Sequence, residues 1–390
     1  MRLLSPLSRI IIFLPYSICF SVWLIQSQPV FAGPQFVITA DVAKLIRDGQ
    51  RAMYDCDYQT ADRDFDSLVR GYPDHPAGYM YKAACVWWKA LRDRTNKDLQ
   101  AQFLRYAEDG IAKGEALVKR DPKDFYAQMF LAGIYGNQTR FDVTITHQYL
   151  AAMRAGLKGD KYNRNALALR PGCVDCLIGT GSYYYAPEAL PPLLRRFAAI
   201  LGVRGDLSRS IKDLEKAAEQ GDFTQTEARI ILLGIYYNEK WFDKYEKLLL
   251  ALLDQYPSNH VFYMWLANFY TQQHQCGRGT RFFSDLMNKT TGNLKLPVSR
   301  GYQFLEKGRL EFADESPDEA LSSFNSGIGA ALQDKEFLAQ AHLLRGFALD
   351  LLRQRNSAIR EYEAVLALPN VEETHKTASR FAKVPYQGRL

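Results

Sequence analysis

The sequence predicts an all-α solenoid of successive antiparallel helical hairpins, carrying one inserted helix. Three observations lead there. First, one spacing recurs: a small residue, a second small residue twelve later, then an aromatic four further on. It occurs as Gly49, Ala61 and Phe65, as Gly308, Ala320 and Phe324, and as Gly346, Ala358 and Tyr362. Second, no stretch alternates polar and apolar residues for long enough to suggest a strand. Third, prolines and glycines punctuate the chain at hairpin-sized intervals, with Pro73, Pro122, Pro171, Pro257 and Pro369 closing helical segments.

The spacing has a direct physical reading. A small residue on the first helix of a pair lets the second helix cross closely. The second small residue is its counterpart, and the aromatic fills the space between. Proline, which lacks a backbone N–H, ends the second helix.

This pattern resembles the tetratricopeptide repeat (TPR). The resemblance implies a right-handed superhelical solenoid whose first helices line a concave groove. Residues 40–171 are expected to form three hairpins, two of them long. Residues 172–221 should form a fourth, with Gly179 at the close-crossing position of its first helix and an extra helix at 191–201 before a second helix carrying Leu214 and Ala217. Residues 224–369 should form four more, and 370–390 a capping helix or a disordered basic tail. Two hairpins depart from the pattern. In 227–257 Glu246 stands where a small residue should follow Gly234. In 260–287 the set is Ala267, Gly279 and Phe283.

The first 32 residues read as a leader. Arg2 and Arg9 give a basic start, residues 10–25 are apolar, and Val30-Phe31-Ala32 precedes Gly33 in the manner of a cleavage site. The expectation is a cleaved secretory signal, with an uncleaved membrane anchor as the alternative. No later apolar run approaches ~20 residues, so no integral membrane segment is expected beyond it. The segment around "SYYYAPEALPPLLRRFAAILG" is similar to one in exported bacterial TPR proteins of undefined function, which implies a Gram-negative periplasm. A net charge of +6, spread without runs, gives no ground for nucleic-acid binding.

"PGCVDCLIGTGSYYYA" (171–186) carries a C-x-x-C pair. Haem attachment would need His where Leu177 stands. Zinc would need further ligands, and the chain has no second cysteine pair. A thioredoxin-type site would need a strand before the helix. In the repeat register Cys173 and Cys176 fall in the first turns of a groove-lining helix, where a disulfide would be strained because helical Cβ atoms three apart sit ~5–6 Å from each other. Two half-buried thiols without a role, a disulfide, and a thiol-redox pair all stay open.

The groove positions give the partner-binding candidates Tyr183, Asn268, Tyr302, Arg309, Phe312 and Phe347, with Leu305, Gln340, Leu343 and Asp350 beside them. Asn268 lacks the partners of a peptide-carboxylate clamp, since Met264, Ile231 and Ile235 occupy the matching positions. His75 and His260 read as surface or capping residues. No catalytic motif is present and no metal or cofactor is expected. The function that follows is a non-catalytic scaffold of the cell envelope, holding a protein or peptide segment in its groove, with oligomerisation open. The alternatives are a transport-associated periplasmic binder of a small apolar ligand, recognisable by a cavity between the long hairpins, and a thiol-redox protein using Cys173 and Cys176.

Overall fold

The computed structural model describes residues 36–188, 205–289 and 297–388. The expected leader (1–32) and the expected inserted helix (191–201) lie outside these residues. Among the described residues there are 17 helices and no strand.

The helices come in antiparallel pairs. The first four pairs are α1 (Ala40–Tyr54) with α2 (Tyr58–Gly71), α3 (Pro76–Ala90) with α4 (Lys97–Arg120), α5 (Phe125–Thr144) with α6 (Tyr149–Leu169), and α7 (Leu177–Tyr185) with α8 (Leu207–Gln220). The next four are α9 (Gln225–Asn238) with α10 (Phe242–Gln255), α11 (His260–Gln272) with α12 (Cys276–Lys289), α13 (Pro297–Ala313) with α14 (Pro317–Ala330), and α15 (Lys335–Leu351) with α16 (Arg355–Leu366). A last helix, α17 (Thr374–Lys383), packs on α16.

The recurring spacing works as the sterics require. A Cβ placed on Gly49 would lie 2.5 Å from the ring of Phe65. At Gly308 it would lie 2.6 Å from Phe324, and at Gly346 it would lie 2.4 Å from Tyr362. All three rings are fully buried. In the fourth hairpin the register differs from expectation. Gly179 faces Asn163 of α6, and it is Gly181 that approaches the second helix, at Leu214 and the Ser210 carbonyl. Ser210 Oγ donates to the Gly181 carbonyl at 2.8 Å and closes that crossing.

Side chains start several of the helices. Thr39, Asp57, Asn96, Asp124, Asp206, Asn259 and Asp334 each accept a hydrogen bond from the first turn that follows. The ends of first helices are less legible in sequence. The turns within six hairpins contain Cys56, His147, Lys240, His274, Glu315 and Arg353, each at a φ between 54° and 60°. In all six the next amide reaches back over the turn: Asp57 to the Ala52 carbonyl, Gln148 to Asp142, Trp241 to Tyr236, Gln275 to Tyr270, Ser316 to Glu311 and Gln354 to Leu349. This is a left-handed helix stop that glycine usually provides. Here glycine serves the crossings instead.

Glu246 shows how a large polar residue survives where a small one was expected. It is buried, accepts from the Tyr270 hydroxyl at 2.7 Å, and pairs with Arg278 at 2.7 Å. Gly234, its partner in the pattern, is exposed and has no atom within 4 Å of where a Cβ would stand, so it forms no close crossing here.

Candidate functional site

The first helices of the N-terminal and C-terminal hairpins meet each other. Trp88, at the end of α3, sits 5.6 Å from Tyr54, 5.8 Å from Phe262 and 6.2 Å from Trp265, measured between ring centroids. The Asn259 amide donates to the Tyr54 carbonyl at 2.6 Å, and the Tyr54 hydroxyl donates to Glu227 at 3.1 Å. Glu227 also pairs with Arg140, whose guanidinium lies 4.0 Å over the Trp87 ring. One apolar cluster of buried residues therefore runs from Phe36 to Ala348, with Phe125, Ala166 and Cys176 in one small cluster and Leu131, Tyr135 and Ala155 in another beside it.

The loop after α3 fastens this contact. Arg92 bonds both carboxylate oxygens of Asp334, at 3.1 and 3.0 Å, and reaches Glu336 at 3.2 Å. Its guanidinium lies 5.3 Å over Tyr302. Glu372 accepts from the Arg94 amide at 2.9 Å, and its own amide donates to Asp93 at 3.2 Å.

Tyr302 is therefore no open groove residue. It is 5% exposed, stacked on His260 at 4.4 Å and set edge-on to Phe337 at 5.0 Å. His260 and His75, read from sequence as surface or cap positions, are both buried. His75 does cap α3: its Nδ1 accepts from the Ala77 amide at 3.3 Å while its ring stacks on Phe36 at 3.8 Å. Burial lowers its pKa to about 3, and burial followed by the charge of Arg92 holds His260 well below the usual histidine range. Both histidines are neutral at pH 7.

Asn268 and Arg309 come together across α11 and α13, with Arg309 donating to the Asn268 side-chain oxygen at 3.2 Å. Arg309 also reaches Glu306 at 3.5 Å. Tyr183 is apart from them. It is half-buried beside Tyr184, under Arg164 of α6.

Phe312, Phe347 and Asp350 form a seat that is already filled. Val384 to Gly388 follow α17 without helical structure. The Tyr386 ring stacks on Phe347 at 4.4 Å and sits 5.9 Å from Phe312. The Tyr386 amide donates to the Asp350 carboxylate at 2.8 Å. That carboxylate also accepts from the Tyr362 hydroxyl at 2.8 Å and from Arg355 at 3.0 Å, and Arg355 donates to the Ala382 carbonyl at 2.6 Å. Phe347 is 4% exposed as a result. The sequence named Phe312, Phe347 and Asp350 as groove positions. What it did not show is that Tyr386, from the basic tail, is the ring that covers them.

Cys173 and Cys176 are joined in a disulfide. The strain expected of a bridge inside a helix does not arise, because α7 begins only at Leu177 and both cysteines lie in the turn before it. Between them, Asp175 accepts from the amides of Phe223 and Thr224 at 3.0 and 3.2 Å and from the Thr224 hydroxyl at 2.8 Å. The bridged loop thus holds the carboxylate that ties α7 to the turn before α9. Cys56, Cys85 and Cys276 are buried free thiols, and burial raises those of Cys56 and Cys85 to about 11 and about 12.

The space between the long hairpins is filled by side chains. Phe103 stacks on Phe141 at 3.9 Å, and Cβ atoms on Gly110 and Gly114 would strike Ile134 and Leu131. An open recess of about 570 Å³ lies elsewhere, between α8 and the start of α10, lined by Leu207, Ile211, Glu215, Trp241 and Lys244 among others. Among the described residues no group of three His, Cys, Asp or Glu side chains is placed to hold a metal ion, and no helix is long and apolar enough to cross a membrane.

No protein-family model matches the sequence, and no curated protein does. Among solved structures the chain is similar to yeast Tom70, at a TM-score of 0.38 and 13% identity over 88% of this chain and 87% of that one. It is similar to a tetratricopeptide repeat protein from Parabacteroides merdae, at 0.34 and 13% over 77% and 97%. It is also similar to the APC/C hetero-tetramer Cut9–Hcn1, at 0.36 and 13% over 84% of this chain and 59% of that one. The fold assignment rests on this chain's own helix pairs.

Proposed function

We propose that this chain is a non-catalytic scaffold of the cell envelope that holds an extended segment of a partner protein on the face built by Phe312, Phe347 and Asp350. One observation carries the reading. That face already accepts non-helical backbone, its own Val384–Gly388, through a stacked ring and an amide-to-carboxylate hydrogen bond. A preformed apolar seat beside a buried, oriented acceptor is what a peptide site needs. The tail is then the resident ligand that a partner segment replaces.

The test uses a chain ending at Lys383 and a synthetic peptide of residues 384–390. Saturable binding in trans, weakened roughly tenfold by Phe347→Ala, about 1.4 kcal/mol, supports the seat. A peptide that fails to bind the shortened chain sinks it. Export has separate support in the leader sequence and in the Cys173–Cys176 bridge, which suits an oxidising compartment. Recovery from an osmotic-shock fraction with Gly33 as the first residue would agree with it, and retention in the cytoplasm would not.

A further inference from the structure

Helix α6 carries four exposed large apolar side chains on one side. Tyr149 is 65% exposed, Leu150 67%, Met153 57% and Leu157 47%. Val143, just before the same turn, is 41% exposed. At ~100° per residue these four α6 positions share an arc of about 100°. The adjoining arc holds Arg154, Lys158 and Lys161, and Arg164 follows on the apolar side; all four are exposed. The opposite arc, with Ala152, Ala155, Gly159, Asn163 and Ala166, is buried against the fold.

The exposed half of α6 carries no free acid. Its one carboxylate, Asp160, is 6% exposed and paired with Arg164 at 2.5 Å. The nearby Glu115 of α4 accepts from the hydroxyls of Tyr135 and Tyr162 at 2.8 and 3.3 Å. An aromatic and three aliphatic side chains thus protrude beside a row of cations.

We infer that this ridge docks the protein on an anionic lipid surface, with Tyr149, Leu150, Met153 and Leu157 entering the headgroup region and Arg154, Lys158 and Lys161 facing lipid phosphates. Two features select lipid over a protein partner. Side chains this exposed form a convex ridge, not a groove that a partner helix could fill, and a deformable headgroup layer accepts a ridge. The exposed charge of α6 itself is of one sign, complementary to anionic headgroups, and lies along the apolar edge as in interfacial helices.

The test places an environment-sensitive fluorophore at Met153→Cys in the full chain, so that the signal is local to α6 whatever the leader does. Among the described residues the other cysteines are buried or bonded, and Cys19 of the leader is replaced by serine so that it takes no label. Vesicles rich in phosphatidylglycerol are compared with neutral phosphatidylcholine vesicles. The expected result is a blue shift with the anionic vesicles only, lost at high salt and in Lys158→Glu/Lys161→Glu, a pair of exposed changes that leaves the helical circular dichroism intact. No shift on anionic vesicles overturns the inference. So does an equal shift on neutral vesicles, or a shift that grows with protein concentration without lipid, which would mean that a second copy covers the ridge.

Discussion

At the scale of single residues, sixteen-residue pairs carry the fold. Gly49 and Phe65, Gly308 and Phe324, and Gly346 and Tyr362 were legible because each contact lies within one hairpin, at fixed spacing. Their energetics can be separated from helix propensity. Gly346→Ala gains about 0.5–1 kcal/mol of helix preference, but its Cβ meets Tyr362, a buried ring anchored to Asp350 by its hydroxyl. Overpacking costs about 1–3 kcal/mol, so the variant should be destabilised by about 1–2 kcal/mol in urea titrations. Gly234→Ala meets nothing and should be stabilised by about 0.5–1 kcal/mol in the same assay. The opposite sign for either would contradict the crossing geometry. His75 sets a pH dependence. Its folded pKa, about 3, lies below the unfolded value of ~6.5, so the unfolded chain binds the extra proton. The stability this residue contributes is complete above pH 6.5 and is lost as pH falls toward 3, amounting to about 2 kcal/mol at pH 5. His75→Asn keeps a capping oxygen and should flatten the stability difference between pH 7 and pH 5.

At the scale of elements, turns and loops decide how hairpins join. The left-handed residues of the hairpin turns were invisible in the sequence, because none of Cys56, His147, Lys240, His274, Glu315 and Arg353 is glycine. An exposed one such as Lys240 should gain about 1 kcal/mol on change to glycine, measured by thermal or chemical unfolding. A loss there would mean that the side chain compensates for the backbone conformation. The C-x-x-C loop is an element-scale device as well. Reducing the Cys173–Cys176 bridge should cost about 2 kcal/mol, the chain-entropy value for so short a loop, and should loosen the Asp175 tie to Phe223 and Thr224. Unchanged stability on reduction, with thiols released, would remove that structural role.

At the scale of the whole described fold, contacts distant in sequence change the behaviour expected of a linear array. A solenoid whose hairpins touch only their neighbours unfolds piecewise. Here Tyr54 and Trp88 pack on Tyr256, Phe262 and Trp265, and Arg92 holds Asp334. The part of the large apolar cluster that runs from Phe36 to Ala341 should therefore lose amide protection in one transition during native-state hydrogen exchange, with the separate cluster of Phe347, Tyr362, Phe381 and Tyr386 opening earlier. Arg92→Ala leaves Asp334 and Glu336 without their cation. It should cost roughly 3 kcal/mol and split that transition into two. A single transition in the variant would show that the ring contacts alone couple the halves.

The sequence by itself determined the class of fold and the hairpin rhythm, since both rest on contacts between residues of fixed spacing along one chain. It also named Phe312, Phe347 and Asp350 as belonging to one face. Only the tertiary structure decided what lies on that face, that Tyr302 and His260 are sealed beneath Arg92, and that the N-terminal first helices close on the C-terminal ones. The physical reason is the same each time. Partners such as Trp88 and Trp265, or Phe347 and Tyr386, stand at no regular interval. Their meeting depends on small rotations accumulated from hairpin to hairpin, which no local pattern records.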